Sequence, residues 1–203
     1  MNRKLIILSL VPLALILLLA AYFLFRDTSP PPPSGEKGTS SRVILLENFQ
    51  QLAGRFNADS NRVRIIALVS PTCPVCGRGF YALQKLLADV PDERLQVYIV
   101  MMPIFPEDEK GRGEARAGEL RDPRVLFYWD PDRISGNTWK EVLGLDQLAV
   151  ELYFLYRPGV TWEFDPTAPD FWMRQLSGVI QAPFLDIERL KAEVRRALSE
   201  TSG

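Results

Sequence analysis

The stretch 69-VSPTCPVCGRGF-80 contains both cysteines of the chain, Cys73 and Cys76, and the sequence on either side of it decides the fold. The preceding run, 63-VRIIALV-69, is short, apolar and rich in β-branched residues, which is typical of a buried strand. After the cysteines, apolar residues recur at helical spacing through residues 80–90, until a proline ends the pattern. The two cysteines are therefore predicted to lie where a buried strand turns into a helix.

A second apolar run, 95-LQVYIVMM-102, follows that helix. Strand, helix and strand together predict a βαβ unit with parallel strands and a right-handed crossover. Further strands are predicted at 124-RVLFYW-129, 151-ELYFLYR-157 and 160-VTWEF-164. A Pro-Gly pair separates the last two, which predicts that they form an antiparallel hairpin.

Helical patterns flank these strands. Apolar spacing predicts a leading helix over residues 45–56, after a pair of serines that would cap it. An amphipathic pattern over residues 185–198 predicts the final helix. The segment 169-PDFWMRQL-176 is interpreted as a short helix that packs inward, with a cover over the cysteine site or a partner surface as alternatives.

The N-terminal segment 5-LIILSLVPLALILLLAAYFLF-25 contains no charged residue. As a helix it would span roughly 31 Å, close to the ~30 Å hydrocarbon core of a bilayer. Residues 1–25 are therefore predicted to be a signal-anchor transmembrane helix; a cleaved signal peptide, whose apolar core is usually ~7–15 residues, is the alternative. Because Arg3 and Lys4 precede the span, the N-terminus should stay inside, with a single pass through the cell inner membrane and the rest of the chain in the periplasm.

Residues 26–41 are rich in proline, glycine and serine and predict an extended, flexible linker. Residues 42–203 are enough for one domain with a substantial core. The formal net charge of −1 gives no general attraction for nucleic acid, so no nucleic-acid partner is expected. The chain has no histidine, which excludes Ser-His and Cys-His nucleophile pairs and histidine metal ligands.

The spacing of the cysteines suits a redox pair. If Cys73 is the N-cap, Pro74 takes the first helical position, and the free N–H groups and dipole of the first turn favour the Cys73 thiolate. Cys76 would lie on the same helical face, from which disulfide formation draws the two Cβ atoms to ~3.8 Å. We therefore expect Cys73 to be an exposed attacking thiol and Cys76 the resolving thiol.

Two other uses of the pair remain open. A passive disulfide would close so short a loop that its stabilisation would lie at the low end of the ~0–5 kcal/mol range. Zinc would need two carboxylate ligands besides the cysteines, whereas a soft two-thiolate site for Cu(I) or mercury needs no others. The predicted catalytic residues are Cys73 and Cys76, and neither a metal nor a cofactor is predicted.

With C-P-V-C between a strand and a helix, residues 42–203 resemble the thioredoxin-like superfamily. The resemblance implies an α/β fold in which helices flank a central mixed sheet, with Cys73 as nucleophile and Cys76 as resolving cysteine. Taken together with the N-terminal span, this domain resembles the membrane-tethered thiol–disulfide oxidoreductases of the bacterial cell envelope. Their expected partners are protein thiols and disulfides and a second redox protein. Pro74 and Val75 differ from the thioredoxin pair, so the direction of electron flow is not carried over.

Two positions depart from the thioredoxin pattern. Ala67 stands where thioredoxins have a buried aspartate, six residues before the first cysteine, and Val150 stands where they have a cis-proline. Both departures favour a second hypothesis, a tethered interaction or accessory domain without turnover. A dithiolate protein that handles copper or mercury is the third.

Overall fold

The computed structural model describes residues 43–176 and 181–200. The predicted anchor 1–25 and linker 26–41 lie outside these residues and stay predictions. No helix within the described ranges is both long and apolar enough to cross a membrane. The strands are β1 (Val43–Leu45), β2 (Val63–Val69), β3 (Leu95–Met101), β4 (Val125–Trp129), β5 (Leu152–Tyr156) and β6 (Phe171–Arg174); the helices are α1 (Phe49–Ala58), α2 (Cys76–Asp89), α3 (Lys110–Gly118), α4 (Ile134–Leu143) and α5 (Ile187–Ser199).

The strands form one mixed sheet in the order β1-β4-β3-β2-β5-β6. The pairs β1–β4, β4–β3 and β3–β2 are parallel, whereas β2–β5 and β5–β6 are antiparallel. Every residue of β2 and β3 is buried, which explains why their sequences are apolar apart from Arg64 and Gln96. The predicted βαβ unit and the central mixed sheet flanked by helices are confirmed.

Alternate residues of β2 face two separate cores, because successive side chains of a strand point to opposite faces. Ile65 and Ala67 lie in the core that contains α2 and α5. Ile66 and Leu68 lie in the core that contains α1 and α4. The cysteine turn follows β2 directly and is therefore positioned by a strand whose residues are all buried.

The predicted hairpin is wrong in its second strand. β5 pairs with β6, and residues 160–164 form no strand. Trp162 explains the difference: its ring stacks on Phe56 at 3.6 Å between centroids, and its backbone exchanges two hydrogen bonds with the Asn57 side chain. The backbone N–H and carbonyl of Trp162 are thus bonded to a side chain of α1 instead of to β5. The short helix predicted within 169–176 is correspondingly wrong, because residues 171–174 are β6.

The leading helix begins later than predicted. Residues 43–45 form β1, and α1 begins at Phe49 with Asn48 as its cap, whose side chain accepts a hydrogen bond from the Gln51 N–H at 3.2 Å. A side-chain acceptor at this position satisfies one of the free N–H groups of the first turn. The final helix, α5, is capped in the same way by Asp186.

Candidate functional site

Both cysteines lie at the carboxyl end of β2, as predicted, but the start of the helix is different. α2 begins at Cys76 after Val75, so Cys73 is not its N-cap and Pro74 is not its first residue. The Cys73 N–H donates to the Ser70 hydroxyl at 3.2 Å. This bond closes a turn before helical hydrogen bonding starts, which explains why the helix begins two residues later than predicted.

The Cys73 thiol is free and buried, with only 4% of the residue exposed. The prediction of an exposed attacking thiol is therefore wrong for this conformation. Cys76 is the first residue of α2, and its side chain lies outside the described part of the structure. The resolving role of Cys76 and the approach of the two sulfurs stay predictions.

Asp108, in the loop between β3 and α3, holds the turn from Ser70 to Cys73. Its carboxylate accepts hydrogen bonds from the Ser70 hydroxyl at 2.8 Å and from the Thr72 hydroxyl and N–H at 2.7 and 3.1 Å. The Ile104 and Phe105 N–H groups add two more, at 2.8 and 2.9 Å. Burial raises the pKa of Asp108, but these hydrogen bonds outweigh burial and leave the pKa below its usual value. Asp108 is therefore a buried carboxylate kept ionised by five donors.

Glu151 approaches the same turn from the start of β5. Its side-chain Oε1 accepts a hydrogen bond from the Ser70 N–H at 3.0 Å, and only 1% of the residue is exposed. Its backbone is left-handed, with φ at 56°, which is uncommon for a residue with a side chain. The conformation is fixed because the Gln175 N–H donates to the Glu151 carbonyl and the Glu151 N–H to Leu68. A strained carboxylate residue thus follows Val150, where thioredoxins have their cis-proline, and no peptide bond in the described ranges is cis.

Tyr153 lies opposite Ala67, the position of the thioredoxin aspartate, because the two residues pair across β2 and β5. The Tyr153 hydroxyl donates to the Gln175 side-chain oxygen at 2.6 Å. The Gln175 amide in turn donates to the carbonyl of Val75, between the two cysteines, at 3.2 Å. A Tyr-Gln bridge therefore ties the cysteine turn to β5 and β6 from the side opposite Asp108.

Gly79 makes room for this bridge. A Cβ atom at residue 79 would lie 1.7 Å from the Tyr153 hydroxyl oxygen and 2.5 Å from the Gln175 side-chain oxygen. Sequence reasoning missed Asp108, Glu151, Tyr153 and Gln175 as site residues. The charged residue placed directly before the apolar run of β5 was the one signal available.

A groove of about 410 Å³ opens beside Val75. Its walls come from α2, from the end of β6 and from the start of α5. Tyr81 and Phe184 expose large apolar surfaces on it, and Arg174 stacks over the Phe184 ring at 3.7 Å. The groove can therefore accept an apolar or aromatic group next to the cysteines.

The described residues contain no group of three or more Cys, Asp or Glu side chains arranged to hold a metal ion. The carboxylates nearest to the cysteine turn, Asp108 and Glu151, are instead bound to N–H and O–H donors of the turn.

No protein-family model matches the chain, and no curated protein matches it. Among solved structures it is similar to a thioredoxin-like protein in the oxidised form, at 17% identity and a TM-score of 0.47, covering 68% of this chain and 79% of that one. It is also similar to a secreted Mycobacterium tuberculosis disulfide oxidoreductase homologous to Escherichia coli DsbE, at 13% identity and a TM-score of 0.42, covering 67% and 82%. A thioredoxin-like protein from Aeropyrum pernix has 13% identity and a TM-score of 0.42, covering 66% and 76%.

Proposed function

We propose that this protein is a membrane-tethered thiol–disulfide oxidoreductase that uses Cys73 and Cys76 on protein or small-molecule disulfides in the cell envelope. The observation that carries the proposal is the place of the pair: Cys73 ends the turn after buried strand β2, and Cys76 begins α2. Ligand and reaction sites of open α/β sheets lie at the carboxyl ends of the strands. A passive disulfide would not need a turn that is held in place by both Asp108 and the Tyr153–Gln175 bridge.

The reaction is two thiol–disulfide exchanges. The Cys73 thiolate attacks one sulfur of a substrate disulfide, forming a mixed disulfide and releasing the first substrate thiolate. Cys76, as a thiolate, then attacks the Cys73 sulfur, which releases the second substrate thiolate and leaves a Cys73–Cys76 disulfide. The substrate gains two electrons and, after protonation, two protons, and the protein loses them. The reverse sequence oxidises a substrate dithiol, and a redox partner restores the starting state.

Substrate approach is supported by the groove beside Val75. Its apolar walls at Tyr81 and Phe184 lie next to Val75, which directly precedes Cys76. An extended polypeptide that places its disulfide at Cys73 would bury neighbouring side chains there. Such a groove would favour protein disulfides as substrates, whereas small disulfides would not use it.

The membrane tether is part of the proposal. It is supported by the uncharged segment 5–25, the basic residues Arg3 and Lys4 before it, and the proline-rich linker 26–41. This arrangement would hold the domain on the periplasmic side of the inner membrane, where disulfides form and persist.

Trapping of the mixed disulfide tests the assignment of roles. With a disulfide-bonded peptide, Cys76→Ser should accumulate a mixed disulfide through Cys73, because the resolving thiol is gone. Cys73→Ser should accumulate none. Equal trapping by both variants, or by neither, would contradict the proposed roles.

A second function has one structural argument. The Cys73 thiol is buried, and neither the aspartate nor the cis-proline of thioredoxins has a direct counterpart at Ala67 and Val150. These features suit an accessory domain that binds partners without turnover. Such a domain would bind its partner equally well with both cysteines changed to serine, whereas an oxidoreductase would lose all exchange.

A further inference from the structure

The proposed reaction requires access to a thiol that the structure covers. Only 4% of Cys73 is exposed, although attack on a disulfide needs its sulfur in contact with the substrate. The turn that carries Cys73 must therefore move, or be moved, before reaction. The contacts that hold this turn in place therefore control the reactivity of Cys73.

Asp108 makes the central contacts to the turn. It accepts hydrogen bonds from Ser70, which lies three residues before Cys73, and from Thr72, which directly precedes Cys73. It also accepts from the N–H groups of Ile104 and Phe105, which fixes the carboxylate within its own loop. One side chain thus joins the cysteine turn to the loop that follows β3.

Ser70 connects Asp108 to Cys73. The Ser70 hydroxyl has a single proton, which it donates to Asp108, so that its lone pairs face the Cys73 N–H. Loss of the carboxylate would free this hydroxyl to rotate and donate elsewhere. The Cys73 backbone would then lose the orientation of its acceptor.

Other charged groups hold the same turn without touching Cys73. Arg116, on α3, donates to the Pro71 carbonyl at 3.2 and 3.3 Å. Glu151 accepts from the Ser70 N–H on the opposite side. Asp108 differs from both because its hydrogen-bond chain continues to the Cys73 N–H.

We infer that Asp108 is a positioning residue for Cys73, which acts through Ser70 to keep the turn closed over the thiol. This inference rests on the proposed function, since it assigns Asp108 a role in presenting the nucleophile of that reaction. Loosening the Asp108 contacts increases the fraction of molecules with an accessible Cys73. A substrate or partner that displaces these contacts would have the same effect.

The test uses the full chain in detergent, in a Cys76→Ser background in which Cys73 is the one remaining cysteine. The rate of alkylation by iodoacetamide at neutral pH reports thiol access. Asp108→Asn should raise this rate about tenfold or more, because a buried hydrogen bond to a charged group is lost from the closed state. Ser70→Ala, which keeps the carboxylate, should also raise it, and the double variant should exceed neither single variant by much.

Asp130→Asn is the matched control. Asp130 is also a buried aspartate, but its side chain accepts hydrogen bonds from Ile134 and Ser135 at the start of α4. The Asp130→Asn substitution should lower the melting temperature without changing the alkylation rate of Cys73. The inference would be overturned if Asp108→Asn lowered the melting temperature but left the alkylation rate unchanged. It would also be overturned if Asp108→Asn raised the alkylation rate and Ser70→Ala did not, since the effect would then come from the charge alone. If Asp108→Asn does not fold, an unchanged rate in Ser70→Ala decides against it.

This assay is independent of the proposed function. Alkylation measures access to Cys73 whether or not the protein exchanges disulfides. If the wild-type chain exchanges no disulfide, the proposed function is refuted. If the protein is active but Asp108→Asn and Ser70→Ala leave the alkylation rate unchanged, only the role of Asp108 is refuted.

Discussion

Gly79→Ala is the substitution for which the structure gives the sharpest expectation. The new Cβ atom would lie 1.7 Å from the Tyr153 hydroxyl oxygen, 2.7 Å from its ring carbon Cζ and 2.5 Å from the Gln175 side-chain oxygen. Tyr153 is fully buried and cannot escape to solvent. Overpacking costs about 1–3 kcal/mol, and loss of the Tyr153–Gln175 hydrogen bond adds about 0.5–1.5 kcal/mol. The gain in helix propensity, about 1 kcal/mol, offsets part of this and leaves a loss of about 2 kcal/mol.

Urea unfolding of the full chain in detergent measures this difference as a lower midpoint at unchanged slope. Gly77→Ala is the control in the same helix, because its Cβ atom would have no neighbour within 4 Å, and it should be neutral or stabilising by up to about 1 kcal/mol. Tyr153→Phe should partly rescue Gly79→Ala, since it removes the oxygen at 1.7 Å but leaves the ring. If Gly79→Ala is as stable as Gly77→Ala, the Tyr153 hydroxyl does not lie against α2 and the bridge to Val75 is refuted.

Two further predictions concern stability away from the cysteines. Trp162→Ala should cost about 3–5 kcal/mol in chemical denaturation, because this buried ring stacks on Phe56, and a cost below 1 kcal/mol would contradict its place in the core. Hydrogen bonds from Lys191 and Lys85 lower the pKa of Asp89 to about 2, so its contribution is present above the unfolded value near 4 and is lost as the pH falls towards 2. Asp89→Asn should therefore flatten the loss of stability between pH 4 and 2, and an unchanged acid profile would show that the pairing is absent.

The parts of the fold that were predictable are those that depend on local pattern. β2 and β3 could be predicted from runs that are apolar apart from Arg64 and Gln96, because both faces of each strand are covered. Helix α5 was visible from its apolar spacing. The apolar pattern of each of these elements indicates by itself that the element is buried. The βαβ unit around the cysteines could therefore be predicted.

The errors arose where distant contacts overrule local pattern. Residues 160–164 have a strand-like sequence, but Trp162 and its bonds to Asn57 draw them to α1. The start of α2 depends on a serine whose hydroxyl is held by Asp108, 38 positions further along the chain. No spacing rule near the cysteines contains that contact.

The site was predictable in its cysteines and not in their surroundings. The sequence indicated that the aspartate and cis-proline of thioredoxins were missing, at Ala67 and Val150. It did not indicate that Tyr153 would lie opposite Ala67 or that Glu151 would adopt a left-handed backbone beside the cysteine turn. Both features depend on the pairing of β5 with β2, which joins residues that are far apart in the sequence.

The central claim is that Cys73 and Cys76 form a reversible redox couple. The most direct measurement is equilibration of the full chain in detergent with glutathione buffers of graded ratio, followed by alkylation to count free thiols. A reversible couple gives a single two-electron transition, in which about 30 mV changes the ratio of oxidised to reduced protein tenfold. A pair that remains fully reduced or fully oxidised across the whole series would contradict it.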